Sequence, residues 1–237
     1  MRRNPLHSVT DGDGRDIGDA AEGAGADIFT AWRLSKATIT LIVLISGTGA
    51  AQLYLAGGHD LSLIAAGGFS GQALADGRWW SPVTSMYLHS GVAHFLFNVS
   101  ALLAFGPVLA RRFGNDIDGE LRLLGLYTVA GLAGVLVYWA FHPDGQMPMV
   151  GASGAIFGLW GALARFKSDA DEIQPIVSRH VLDQAFGAVL SNFGLLLLFI
   201  PSWLMLGVLG LAWEAHLGGF VAGLLLVGFF RPRPAAG

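Results

Sequence analysis

The sequence predicts an all-α polytopic membrane protein with six transmembrane helices, and three observations lead there. Of the 237 residues, 53% are hydrophobic and only 13% are charged, roughly half the ~25% charged share of a soluble domain; mean hydropathy is +0.56. The 34 glycines show no Gly-X-Y period and fall within long apolar runs, where small residues let transmembrane helices approach closely. The basic residues gather in alternate connections between those runs, as orientation in a bilayer requires. Composition also excludes other classes. With no cysteine there is neither a disulfide framework nor thiolate chemistry, and a net charge of -3 offers no basic face to nucleic acid.

Residues 1–31 are rich in Gly, Asp and Ala and hold six of the seventeen acids. They show no apolar period and are expected to form a disordered cytoplasmic tail. No apolar stretch follows Arg2 and Arg3, so no signal peptide is expected here, and the acids argue against a mitochondrial presequence. The membrane domain is expected over 32–232, with a short cytoplasmic tail at 233–237. A spanning helix needs roughly 20 mostly apolar residues, and such stretches occur near 37–56, 91–110, 121–141 and 149–166. A last apolar run extends from Gln184 to Phe230, broken by one charge at Glu214. As one helix it would be about 70 Å long, twice a bilayer. It must therefore fold back, with Pro201-Ser202-Trp203, Gly207 and Gly210 marking the place and helices near 184–202 and 213–230.

The charges test that count. Arg2, Arg3, Arg15, Arg33 and Lys36 precede span one; Arg111, Arg112 and Arg122 lie between spans two and three. Arg165, Lys167 and Arg179 lie between spans four and five, and Arg231 and Arg233 follow span six. Six spans put these thirteen on one side and leave Arg78 alone on the other. Positive charge accumulates in the cytoplasm, so both termini are expected there. Twelve Arg against two Lys, with abundant Ala and Gly, is in keeping with a GC-rich bacterial genome and a bacterial cytoplasmic (inner) membrane.

Ionisable side chains at membrane depth are costly and usually functional. His94 and Asn98 lie on span two, Ser153 opens span four, and Glu214 and His216 open span six. Spans two, four and six all run inward from the non-cytoplasmic face, so these residues share one depth. His94 and Asn98, four apart, share a helix face, as do Ser153 and Phe157. Gly154, Gly158 and Gly161 form a smooth stripe on span four; His216, Gly219 and Gly223 form another on span six. If those stripes meet, Ser153 comes within hydrogen-bond reach of His216. A serine hydroxyl becomes a good nucleophile when a base takes its proton, and histidine is the usual base. Acyl transfer also needs donors aimed at the developing oxyanion, a role that suits the Asn98 amide, a His94 ring N–H and the Ser153 backbone N–H. Glu214 is two residues from His216 and faces elsewhere, which suits an interfacial or loop-anchoring role. His89 is expected to be structural, and Trp79, Trp80 and Trp203 to be interfacial anchors.

The strings His94-Phe-Leu-Phe-Asn98, Gly151-Ala-Ser-Gly-Ala-Ile-Phe-Gly158 and Ala215-His-Leu-Gly-Gly219 with Gly223 resemble the rhomboid family of intramembrane serine proteases. They stand in that family's order, on its second, fourth and sixth helices, within roughly residues 33 to 230. The resemblance implies a rhomboid-like bundle with Ser153 as nucleophile and His216 as general base, in a dyad without a third carboxylate. It implies an oxyanion hole of His94, Asn98 and the Ser153 amide. Gly151, Gly154, Phe157 and Gly219 would be supporting packing. Trp79-Trp80 resembles the family's first loop, partly sunk in the outer leaflet, and the apolar loop before Glu214 its mobile cap, with span five as substrate gate. Two departures stand out: Ser81 where the family commonly has arginine after the loop tryptophan, and Phe157 where it commonly has tyrosine.

The implied function is an endopeptidase that cuts single-pass or polytopic membrane protein substrates near the outer ends of their helices. Its partners are those substrates and the lipid bilayer, with no nucleic acid, and neither a cofactor nor a metal is expected. The sequence leaves the oligomeric state open. The alternative is a non-catalytic rhomboid-like adaptor that binds membrane clients. A transporter would show inverted repeats, a metalloprotease H-E-x-x-H, and an aspartyl protease two carboxylates at depth; the sequence has none of these.

Overall fold

The computed structural model describes residues 34–55, 62–114, 116–167, 172–206 and 211–230. The tails expected over 1–31 and 233–237 lie outside them, as do Gly207 and Gly210. The described helices belong to a compact unit beginning at Ser35. They are α1 (Lys36–Leu55), three short helices α2 (Ser62–Gly67), α3 (Gly71–Ala75) and α4 (Ser81–Thr84) followed by a 3-10 turn (Ser85–Tyr87), then α5 (Val92–Phe113), α6 (Ile117–Phe141), α7 (Ser153–Leu163), α8 (Arg179–Leu206) and α9 (Trp213–Phe230). Among the described residues there is no strand, only the isolated bridges Phe69–Met149 and Phe166–Ile173. Val92–Phe113, Ile117–Phe141, Arg179–Leu198 and Trp213–Phe230 are long and apolar enough to cross a membrane. This is an all-helical, multi-pass membrane protein.

Local chemistry sets the helix ends. Asp116 caps α6 by accepting the Gly119 N–H at 2.8 Å, and Asp118 and Glu120 place negative charge in its first turn, where the helix dipole favours it. Arg111 and Arg112 stand in the last turn of α5, the complementary arrangement. Ser178 precedes α8 and accepts the Val181 N–H at 3.3 Å.

Two sequence expectations need correction. The stretch 149–166 is not one helix: α7 has 11 residues and begins at Ser153. Gly151 sits at φ +130, a backbone state incompatible with helix, so the chain arrives in extended form, pinned by the Phe69–Met149 bridge. At 1.5 Å per residue α7 is about 16 Å long, half the hydrocarbon thickness. The helix expected near 184–202 is also longer, running from Arg179 through Leu206, so it passes Pro201-Ser202-Trp203. Proline removes one backbone hydrogen bond, whereas unravelling a turn in apolar surroundings strands several. The side chain of Trp203 lies outside the described residues.

The core joins Leu102, Leu109 and Phe113 of α5, Leu123, Leu126 and Tyr127 of α6, Leu159 of α7 and Val227 of α9. Between α7 and α9 the contact is backbone on backbone. A Cβ on Gly219 would lie 1.9 Å from the Gly154 carbonyl oxygen, one on Gly223 1.8 Å from that of Gly158, and one on Gly161 2.0 Å from that of Phe220. Helix α8 is peripheral, with Phe186, Val189, Phe193 and Leu197 exposed as lipid contact would require.

Hydrogen bonds identify the two ends of the bundle. At one end the Lys36 and Ala37 N–H groups donate to the Glu120 carboxylate at 3.0 and 2.7 Å, Arg112 donates to the Lys167 carbonyl at 3.1 Å, and Arg165 to the Leu224 carbonyl at 2.8 Å. At the other end Gln52 pairs with both backbone groups of His89, at 2.8 and 3.0 Å, and His142 Nε2 meets the Glu214 carboxylate at 2.8 Å. There the segment 62–91 is held by Arg78 donating to the Ala65 carbonyl, the Trp80 indole N–H to that of Ala66 at 3.2 Å and Thr84 to that of Gly67 at 2.6 Å. Ser81 is fully buried. An arginine one residue before the tryptophan pair thus anchors the loop that Ser81 does not.

Candidate active site

At the inner edge of that second end, the glycine seam brings Ser153 Oγ to 2.7 Å from His216 Nε2. Both residues stand at the first turns of their helices, and the seam lets those helices approach until the side chains meet. Phe157, one turn below Ser153, lies parallel to the His216 ring at 4.3 Å between centroids and 2° between planes. The first intrahelical bond of α7 runs from the Ile156 N–H to the Ala152 carbonyl at 3.0 Å. The N–H groups of Ser153, Gly154 and Ala155 therefore have no intrahelical acceptor.

His94 approaches from α5. A Cβ on Gly151 would fall 2.7 Å from its Cε1 and 2.8 Å from its Nε2, so only glycine permits both the backbone turn and the ring. The Gly151 N–H donates to the Ser85 carbonyl at 2.8 Å, fixing this segment to the 3-10 turn. The Ser90 backbone N–H donates to His94 Nδ1 at 3.3 Å, with the Ser90 hydroxyl at 3.0 Å. Because Nδ1 accepts, the neutral ring carries its proton on Nε2, beside Gly151. Asn98 is buried, and its amide donates to the His94 carbonyl at 2.8 Å. The fold thus brings His94, but not Asn98, to the cavity wall.

The cavity measures about 250 Å³ and is lined by Ser90, His94, Tyr138, His142, Met147, Pro148, Met149, Val150, Ser153, Leu211, Ala212, Trp213, Glu214 and His216. Glu214 takes part through its contact with His142, which ties the start of α9 to the end of α6. His89 stands behind His94, its ring edge-on at 5.2 Å, and is 4% exposed. Burial pushes its imidazole down to about 3, with the His94 ring adding to the shift and the Tyr87 carbonyl opposing it. Among the described residues no cluster of His, Cys, Asp and Glu could hold a metal ion.

Sequence reasoning missed Asn192. Its Oδ1 lies 2.8 Å from His216 Nδ1, and its Nδ2 lies 3.3 Å from the Trp213 carbonyl. A polar amide inside the apolar run of α8 was the available signal. Ser90 and Tyr138 were missed as well; the Tyr138 hydroxyl donates to the Met147 carbonyl at 3.3 Å on the cavity rim.

A chemical arrangement of hydroxyl, imidazole and nearby N–H donors suits acyl transfer. Comparison with known proteins points the same way. A family model described as a rhomboid domain matches residues 76–233. "Rhomboid protease GluP" of Bacillus subtilis (strain 168) is 39% identical over 102 residues, 43% of this chain and 18% of its own. "Putative rhomboid protease YdcA" of the same organism is 39% identical over 88 residues, 37% of this chain and 41% of its own. "RHOMBOID-like protein 5" of Arabidopsis thaliana is 30% identical over 172 residues, 72% of this chain and 50% of its own. The chain thus spans half or less of the length of these relatives. A domain match across more than half of the 237 residues, taking in every side chain gathered around Ser153 Oγ, makes this chain a member of the rhomboid family.

Proposed function

We propose that the chain is an intramembrane serine endopeptidase, hydrolysing peptide bonds near the outer end of substrate transmembrane helices. The observation that carries this reading is the 2.7 Å contact between Ser153 Oγ and His216 Nε2 at a cavity set into the bundle. Ser153 Oγ attacks the scissile carbonyl carbon while its proton passes to His216 Nε2. The negative oxygen that forms meets the Ser153 N–H and His94 Nε2–H. Asn98 joins them by turning its amide away from the His94 carbonyl. Collapse breaks the C–N bond; His216 protonates the departing amine, leaving an ester on Ser153. Water gives a proton to His216 and attacks that ester, and the proton then returns to Ser153.

In this reading α1 and the short α7 also cross or enter the bilayer, giving six segments. The contacts of Lys36, Arg112 and Arg165 at one end support a cytoplasmic placement of that end and of both termini. A bacterial cytoplasmic membrane is the proposed location, and single-pass or polytopic membrane proteins are the proposed substrates. The test is labelling of the purified full chain by a serine-directed fluorophosphonate, wild type against Ser153→Ala and His216→Ala. Loss of labelling in both variants supports the reading. Equal labelling of wild type and Ser153→Ala overturns it in favour of a client-binding adaptor.

A further inference from the structure

We infer that Asn192 is a positioning residue: from α8, it selects the tautomer of His216 that can act as base toward Ser153. The inference rests on the catalytic reading above and deepens it. Three contacts form a chain of constraints, each leaving one option. The Trp213 carbonyl can only accept, so the end of the Asn192 side chain 3.3 Å from it must be the NH2 group. That places Oδ1, which can only accept, 2.8 Å from His216 Nδ1. The ring proton is therefore on Nδ1, and the lone pair of Nε2 faces Ser153 Oγ at 2.7 Å.

The reverse tautomer shows what is at stake. With its proton on Nε2, the ring would donate toward Ser153 and have no lone pair there to take the hydroxyl proton. Nδ1 would then face Oδ1 lone pair to lone pair. Turning the amide over to relieve that would set Oδ1 against the Trp213 carbonyl oxygen, a second repulsion. The same Nδ1–H bond to Oδ1 strengthens when His216 takes up the serine proton, because the donor then carries charge. A neutral amide thus does the orienting that a carboxylate does in a catalytic triad.

The position of Asn192 adds a consequence. Among the described residues, its two bonds are the polar contacts that tie α8 to α9, and most of the surrounding α8 surface is exposed. The group that orients the base therefore belongs to a peripheral helix, and the reactivity of Ser153 falls when that contact with α8 is lost.

The experiment uses the full chain in lipid nanodiscs with 15N-labelled histidine: wild type, Asn192→Ala, Asn192→Asp and Ser153→Ala. It reads the fluorophosphonate labelling rate, the His216 ring 15N shifts and the melting temperature. Wild type shows a protonated Nδ1 and an unprotonated Nε2. Asn192→Ala loses that preference and labels roughly 10- to 100-fold more slowly. Asn192→Asp keeps an acceptor at the same place, retains the Nδ1–H form and labels faster than Asn192→Ala. Wild-type tautomer and rate in Asn192→Ala overturn the inference. So does an equal fall in both variants with the tautomer unchanged, which is the mark of a role in helix docking alone. Wild-type labelling of Ser153→Ala overturns the catalytic reading instead, and the 15N shifts still decide what Asn192 does to the ring.

Discussion

The Phe157 ring lies flat on the His216 imidazole, 4.3 Å between centroids and 2° from parallel, while Ser153 and Asn192 occupy the two ring nitrogens. The ring is thus held on one face and at both nitrogens. Truncating Phe157, which is 8% exposed, removes the face contact. Phe157→Ala is expected to cost about 3–5 kcal/mol of stability and to slow fluorophosphonate labelling about tenfold or more, as the ring gains freedom to tilt. Phe157→Tyr keeps the stack and adds only a hydroxyl, so it should label within about threefold of wild type. Rate and melting temperature measured together check both; an unchanged rate in Phe157→Ala would show the stack to be mere packing.

The seam between α7 and α9 makes a sharper prediction, because the same helix supplies its own control. A methyl at Gly219 or Gly223 would overlap carbonyl oxygens at 1.9 and 1.8 Å, whereas at Gly228 nothing lies within 4 Å. Gly219→Ala and Gly223→Ala force backbone apart from backbone, with no flexible side chain to yield. Both should lower the melting temperature and abolish labelling, by lengthening the contact between Ser153 and His216. Gly228→Ala should leave both unchanged, or raise stability by up to ~1 kcal/mol through helix propensity. Similar behaviour of all three variants would contradict the seam.

What was legible in the sequence follows from what helical spacing records. Ser153, His216 and the glycine stripes were readable because residues three, four and seven apart share a face and glycines at those intervals have little use other than close approach. The family motifs supplied the same pairing independently. The apolar run 149–166 overstated the length of α7, since hydropathy is blind to φ, although Ser153 was read as its opening residue; the Gly151 backbone shows why the helix begins there. Pro201 misled for the opposite reason: a breaker in water is tolerated where unpaired backbone is worse. The amide of Asn192 stood out in its apolar run, but its pairing with His216 and the His142–Glu214 contact did not, because each joins residues on different helices, 24 and 72 residues apart. Spacing within one helix says nothing about which residue of a distant one will face it.

His89 gives the chain an acid-sensitive point behind the site. Its imidazole is held down to about 3, against 6.5 in an unfolded chain, so the folded state prefers the ring neutral. The resulting stability is fully present above pH 6.5 and is lost as pH falls from there toward 3, at up to ~1.4 kcal/mol per pH unit. Melting temperature in detergent should therefore drop on acidification from pH 6.5. His89→Phe, which keeps an aromatic ring against Phe95 and His94, should flatten that slope. An identical slope in the variant would assign the acid sensitivity elsewhere.

If Ser153 cleaves membrane-spanning peptides as proposed, substrate preference follows from the small cavity. A substrate helix hides each scissile carbonyl in its own i to i-4 hydrogen bonds, and a cavity of about 250 Å³ has no room for an intact helix with side chains. The peptide must unwind before Ser153 Oγ can reach it. Each glycine makes helical unwinding easier by about 1 kcal/mol, so two near the cut raise the unwound population about 30-fold. Large side chains at the cut must compete for space with Met147, Met149 and Trp213 on the cavity wall. Two fusions with equal hydrophobic length settle the matter: one uniformly Leu-rich, the other with a Gly pair beside an Ala near its outer end. The second should be cleaved at least tenfold faster, at or next to the Ala, and Ser153→Ala should cleave neither. Efficient turnover of the Leu-rich span would mean that Ser153 does not require an unwound peptide.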